Sequence, residues 1–202
     1  AEFVQVDRSD KKRIEEELKT VDVAILAGDL DIRYVLAPNM GWIHCDHSGL
    51  NNSAIPEVFE RKNLIVTGSA GRSTPVLAEH TFYFALSLTY KAHTLFEAKK
   101  NKKWDCVNGY RDQKGLFAKT MGIIGLGHTG KEVAKRAKMF GMNVLGYVRS
   151  EREHYENIDK LYSFDGGDSI DQLVMDSDFV ILTCRLSDET YHLISERQFE
   201  LM

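Results

Sequence analysis

GLGHTGKEVAKRAKMFGMNVLGYVRS, residues 125–150, is the stretch on which the fold turns. Gly125, Gly127 and Gly130 form G-x-G-x-x-G. The apolar run Met121–Ile124 before them reads as a strand, and Lys131–Phe140 after them as a helix with Val133, Ala134, Ala137 and Phe140 on its buried stripe. Gly141 stops that helix, and Asn143–Tyr147 reads as a second strand. In such a unit a glycine at 125 permits a tight turn, one at 127 lets a pyrophosphate approach the backbone, and one at 130 lets helix and strand pack closely. The helix would then aim its free N–H groups and positive dipole end at the phosphates. Glycines alone can be mere turn formers, and methyltransferases use similar loops. The order and lengths of the parts favour a dinucleotide. Val148-Arg149-Ser150 stands where an NAD site would place an acid.

Working outward, the chain has 202 residues, 43% hydrophobic and 28% charged, which suits a globular protein with a real core. A net charge of −4 argues against a general nucleic-acid binder. Cys45, Cys106 and Cys184 lie far apart without a C-x-x-C or His/Cys cluster, so no metal site is expected and free thiols fit a reducing, cytoplasmic setting. The longest apolar run, Phe82–Leu88, is too short to span a bilayer, and no secretory signal pattern opens the sequence.

Before the glycine motif, residues 10–19 read as a helix with Ser9 as a candidate N-cap. Val21–Leu26, Trp42–Cys45 and Leu64–Thr67 read as strands, with a short helix Pro56–Arg61 opening at its proline. Polar loops, DHSGLNN (46–52) and GSAGRST (68–74), follow the second and third strands. A long helix runs from Pro75 to about Lys103, with Leu77, Phe84, Leu88 and Leu95 at helical spacing and a solvated tail, EAKKNKK. Trp104–Lys119 reads as an irregular connection. Short strands alternating with helices imply parallel α/β architecture.

Three stretches together resemble the D-isomer-specific 2-hydroxyacid dehydrogenase family: VLAEHTFYFALSLTYK (76–91), KTMGIIGLGHTGKEVAKRAKMFGMNVLGY (119–147) and SIDQLVMDSDFVILTCRLSDETYHLI (169–194). With a weaker match through residues 20–67, the resemblance covers almost the whole chain. It implies an α/β fold of two Rossmann/flavodoxin-like parallel-sheet lobes joined by a long hinge helix. The substrate lobe would span 1–90 and the NAD(P)-binding lobe 91–202, with the helix at about 75–103 straddling the boundary and the cofactor lobe incomplete. It further implies hydride transfer between a nicotinamide dinucleotide and a small 2-oxo or 2-hydroxy acid, and a homodimer formed through the cofactor lobe near Trp104–Lys119. A non-catalytic, dinucleotide-sensing module of the corepressor kind is the alternative within the same family, and formate or phosphite oxidation a third.

Carried over residue by residue, backbone groups of His128 and Thr129 would hold the pyrophosphate between Gly125, Gly127 and Gly130. Cys184 would lie near the nicotinamide, and Ser48 and Gly49 would grip the substrate carboxylate through backbone N–H groups. Arg185 replaces the family's usual proline, and Asn51 its usual acid. The family's catalytic Arg, Glu and His would all lie downstream of Met202, so no catalytic residue is assigned and the 202 residues alone are expected to be inactive. His44 and His47 flank the substrate loop; His80 falls in the long helix; His93, His154 and His192 read as surface residues.

With Val148 in the acid's place, no carboxylate on that strand end binds the ribose diol or repels a 2′-phosphate. Arg149 can grip such a phosphate bidentately, Ser150 can add a hydrogen bond, and Arg152 adds charge. NADP(H) is therefore expected over NAD(H). At roughly 1.5–3 kcal/mol per charge-assisted bond, the preference would be on the order of ten- to a hundredfold.

Overall fold

In the computed structural model, residues 2–104, 115–151 and 154–202 are described. They form two compact units, divided between Arg72 and Ser73. Cys106, Arg152 and most of the Trp104–Lys119 connection fall outside the described residues.

The first unit holds three parallel strands, β1 (Val23–Leu26), β2 (Trp42–Cys45) and β3 (Ile65–Gly68), side by side in that order. Helix α1 (Lys11–Glu17) precedes them in the chain, and α2 (Ile32–Val35) and α3 (Pro56–Glu60) lie between them. Alternation along β2 sends Ile43 and Cys45 into a core with Ile14, Leu18, Val35 and Met40. On the opposite face Val23, Ile25, Trp42 and Ile65 are exposed. The N-cap of α1 is Asp10 and not Ser9: the Asp10 carboxylate accepts the Arg13 backbone N–H at 3.1 Å. The Ser9 hydroxyl donates instead to Asp7 at 2.6 Å. After α3, the Arg61 guanidinium donates to the carbonyls of Val35 at the end of α2 and of Ala37 and Met40 in the turn beyond it (2.5, 2.8 and 2.9 Å).

The second unit opens with α4 (Thr74–Thr89) and α5 (Ala92–Lys100), then β4 (Thr120–Ile124), α6 (His128–Met139), β5 (Asn143–Val148), β6 (Lys160–Ser163), α7 (Ile170–Met175), β7 (Phe179–Leu182) and α8 (Glu196–Leu201). All four strands are parallel, in the order β6-β5-β4-β7. The chain winds outward from β4 through β5 to β6, then crosses back to place β7 on the other side. Doubly wound sheets bind ligands at the carboxyl ends of strands flanking such a reversal. Helix α6 ends as the sequence predicts: Gly141 takes φ +70°, and its N–H and that of Met142 return to Lys138 and Ala137 (both 3.0 Å).

Two readings of the long helix change. It is two helices: Lys91 adopts φ +48° between α4 and α5. No Gly or Pro marks the break; the Thr89 hydroxyl donates to the Ala85 carbonyl at 2.7 Å, a back-bond that bends helices. The buried stripe is also different. Ala78, Phe82 and Ala85 pack with Val133, Ala134 and Ala137, whereas Leu77, Phe84 and Leu88 are 47%, 54% and 72% exposed. Because α4 is apolar around most of its circumference, spacing alone does not choose the stripe. The small alanines allow close helix approach, and Phe82 stacks on Phe140 at 4.9 Å.

Candidate functional site

Strand β4 delivers the chain into Gly125, whose φ of +97° favours glycine. Its N–H donates to the Tyr147 carbonyl at 2.8 Å. A Cβ here would stand 2.6 Å from the Cys184 backbone nitrogen, so the chain leaving β7 also requires glycine. At Gly130 a Cβ would overlap the Gly125 carbonyl oxygen and lie 2.9 Å from Thr183 Oγ1. The Thr183 hydroxyl donates to that same Gly125 carbonyl at 2.5 Å, fastening the turn to the end of β7.

Gly127 differs from both. Its φ of −74° suits any residue, and a Cβ would meet nothing within 4 Å. No atom of the described residues demands a glycine there. Gly127 is the N-cap of α6, and no side chain caps this end. The Lys131 N–H makes the helix's first bond, to the Gly127 carbonyl at 3.0 Å, so those of His128, Thr129 and Gly130 have no intrahelical acceptor. Gly127 and His128 are exposed and Thr129 half-buried. An open approach, free donors and a positive dipole end suit an anionic group, and the residues present fit a dinucleotide's phosphates. Beside them a groove of about 360 Å³ is lined by Leu77, His80 and Phe84 of α4, by Thr129, and by Leu182 and Thr183.

Val148 is buried at the end of β5, and the next two residues carry the polar groups. Arg149 is largely exposed, its Nη1 3.6 Å from the Glu189 carboxylate. A hydrogen bond from the Ser187 hydroxyl, then one from its own backbone N–H and the charge of Arg149, hold the Glu189 carboxyl below its ordinary pKa. The Ser150 hydroxyl donates to the Asp165 carboxylate. Neither acid was among the residues expected at this site. Asp165 follows β6, a strand too short to stand out from periodicity, although the Asp-Gly-Gly after Leu161-Tyr162-Ser163-Phe164 is a usable turn signal. Thr183 was missed as well.

Cys184 is half-buried behind Gly125, and desolvation pushes its thiol pKa up, as it does for buried Cys45. Neither is poised as a thiolate. Ser48 and Gly49 lie in the first unit, exposed in the loop after β2. That loop is tied to the end of β1: His47 Nε2 is 2.9 Å from the Asp29 carboxylate, which also accepts from Asn52 at 3.2 Å, and Asp46 accepts the Gly28 N–H at 3.1 Å. His44 is half-buried, its ring nitrogens 2.8 Å from Thr67 Oγ1 and 3.1 Å from Ser69 Oγ. Among the described residues no group of three or more His, Cys, Asp and Glu side chains can hold a metal ion, and no helix is long and apolar enough to cross a membrane.

Residues 82–202 match the family described as D-isomer specific 2-hydroxyacid dehydrogenase, NAD binding domain. This chain belongs to the D-isomer specific 2-hydroxyacid dehydrogenases. Among curated members, a glyoxylate reductase of Korarchaeum cryptofilum is 30% identical over 198 residues, covering 95% of this chain and 58% of the relative. The chain thus spans somewhat over half the length of that dehydrogenase. A D-lactate dehydrogenase from Aquifex aeolicus, solved with NAD and lactic acid, aligns with TM-score 0.72 and 26% identity over 93% of this chain and 55% of that one. An acyclic imino acid reductase, Bsp5, solved with NADPH and D-Arg, shares the fold at TM-score 0.77 and 20% identity, over 97% and 61% of the two chains.

Proposed function

We propose that the whole protein transfers a hydride between NADP(H) and a small 2-oxo or 2-hydroxy acid, and that these 202 residues hold the dinucleotide without turning over by themselves. The observation that carries the binding half is Gly127, a glycine with no internal steric reason, at the uncapped end of α6 and the carboxyl edge of the sheet. A nicotinamide dinucleotide supplies or accepts the hydride when bound. The backbone N–H groups of His128 and Thr129 would hold its pyrophosphate, while Gly125 and Gly130 keep the turn tight and Cys184 closes it from behind. Ser48 and Gly49 would bind the substrate carboxylate through their N–H groups. The glyoxylate reductase and lactate dehydrogenase relatives support a small hydroxy or oxo acid such as glyoxylate or hydroxypyruvate. A substrate unit distinct from the cofactor unit, a homodimer and a cytoplasmic setting belong to the same proposal.

For the cofactor, Val148 ends β5 without a carboxylate and Arg149 follows it, which supports NADP(H) over NAD(H). Since Glu189 competes for Arg149, the lower end of the range is expected, about tenfold. Titration of NADPH and NADH on the 202-residue chain, by calorimetry or nucleotide fluorescence, tests this. NADPH should bind more tightly; Arg149→Ala should weaken NADPH alone, and Val148→Asp should reverse the order. Tighter NADH binding by the unaltered protein, or equal loss of both cofactors in Arg149→Ala, would overturn the NADP assignment.

A further inference from the structure

The acid absent from the end of β5 has a counterpart in the turn after the neighbouring strand. Val148 pairs with Ser163 in the β5–β6 ladder, and the turn after β6 is built against the residues after β5. The Phe164 N–H donates to the Val148 carbonyl at 3.0 Å and the Asp165 N–H to the Arg149 carbonyl at 2.8 Å. Ser163 holds the turn from inside: its N–H donates to Asp168 at 2.8 Å, and its hydroxyl accepts the Gly166 N–H at 3.2 Å. The Asp165 side chain is thereby set at the tip of β5, where it accepts the Ser150 hydroxyl.

We propose that Asp165 is a specificity-determining residue of the dinucleotide site, opposing Arg149 at the ribose 2′ position. The assignment rests on the dinucleotide reading above. A serine hydroxyl has one proton. While the Asp165 carboxylate takes it, Ser150 has none to give to a phosphate. The same carboxylate is an acceptor for ribose hydroxyls and repels a 2′-phosphate. Arg149 attracts that phosphate, and Glu189 already engages Arg149. Two carboxylates from loops after β6 and β7 thus flank the two residues from which an NADP preference is read, and Asp165 is the one held by backbone bonds on both sides.

The test is binding, not turnover. NADPH, NADH, adenosine 2′,5′-bisphosphate and 5′-AMP are titrated by calorimetry against the unaltered chain, Asp165→Asn, Ser150→Ala and the double variant, with thermal unfolding as a check on folding. Asp165→Asn removes the charge, adds an amide donor and leaves only a weaker, neutral acceptor for the Ser150 proton. It should raise the NADPH-to-NADH affinity ratio about tenfold, and the bisphosphate-to-monophosphate ratio in parallel. Ser150→Ala alone should change NADPH affinity less than about twofold, and in the Asp165→Asn background should remove part of the gain. Ratios unchanged in folded Asp165→Asn, or a tenfold loss of NADPH affinity in Ser150→Ala alone, overturn the assignment while leaving the dinucleotide site standing. Failure of every nucleotide to bind the unaltered chain overturns the dinucleotide reading, and this assignment with it.

Discussion

At the scale of single residues, the three motif glycines separate into two kinds. Gly130 is required by the fold: Gly130→Ala drives a methyl into the Gly125 carbonyl and Thr183. Overpacking of this sort costs about 1–3 kcal/mol, read as a lowered unfolding midpoint in denaturant. Gly127→Ala adds a methyl into open space, at a stability cost of about 1 kcal/mol or less from the poorer N-cap. It should nevertheless weaken dinucleotide binding at least tenfold, because the methyl stands where a phosphate would approach. Equal destabilisation by both variants, or undiminished binding by Gly127→Ala, would contradict this division. The motif itself was legible in the sequence because glycine's freedom and a helix stop act over a few residues. Asp165 and Glu189 were not, because each meets its partner only after separate strands align.

At the scale of elements, α7 and α8 are joined by a polar clasp. Asp171 accepts from Gln198 Nε2 at 2.9 Å and from Arg197 at 2.5 and 3.0 Å, and Gln198 also completes the cap of α8 with Ser195. The Gln198 hydrogen bond, then Arg197, holds the Asp171 carboxyl below its ordinary value. A carboxylate with a depressed folded-state pKa stabilises above its unfolded pKa, and that contribution is lost as pH falls through the folded value. Docking of α8 should therefore be pH-independent near neutrality and loosen below about pH 4. Asp171→Asn should remove most of that acid dependence, as measured by amide hydrogen exchange in α8. An unchanged acid profile in Asp171→Asn would place the dependence elsewhere, with Asp159 beside Lys138 the next group to test. Periodicity chose Val133, Ala134 and Ala137 of the buried stripe of α6, which has one apolar face, but Phe140, expected on that stripe, is the C-cap and is 40% exposed. Periodicity could not choose for α4, apolar nearly all round, where the partner's shape selects the alanine face.

At the scale of the whole molecule, α4 and α5 leave Val76, Tyr83, Leu88 and Phe96 exposed. Apolar exposure of this extent on adjoining helices supports the proposed homodimer. Light scattering at micromolar concentration should give twice the chain mass, and Leu88→Glu should shift the population toward monomer. A monomeric mass for the unaltered chain would remove the dimer from the proposal. By itself the sequence determined the parallel α/β class, the glycine turn, the stop at Gly141 and the position of most strands, since these follow from backbone freedom and side-chain pattern within short windows. Only tertiary structure decided which face of α4 is buried, where the long helix breaks, and that Ser150 and Arg149 meet carboxylates from the loops after β6 and β7. Those outcomes depend on which strands become neighbours, and parallel pairing joins segments separated in sequence by whole crossover connections.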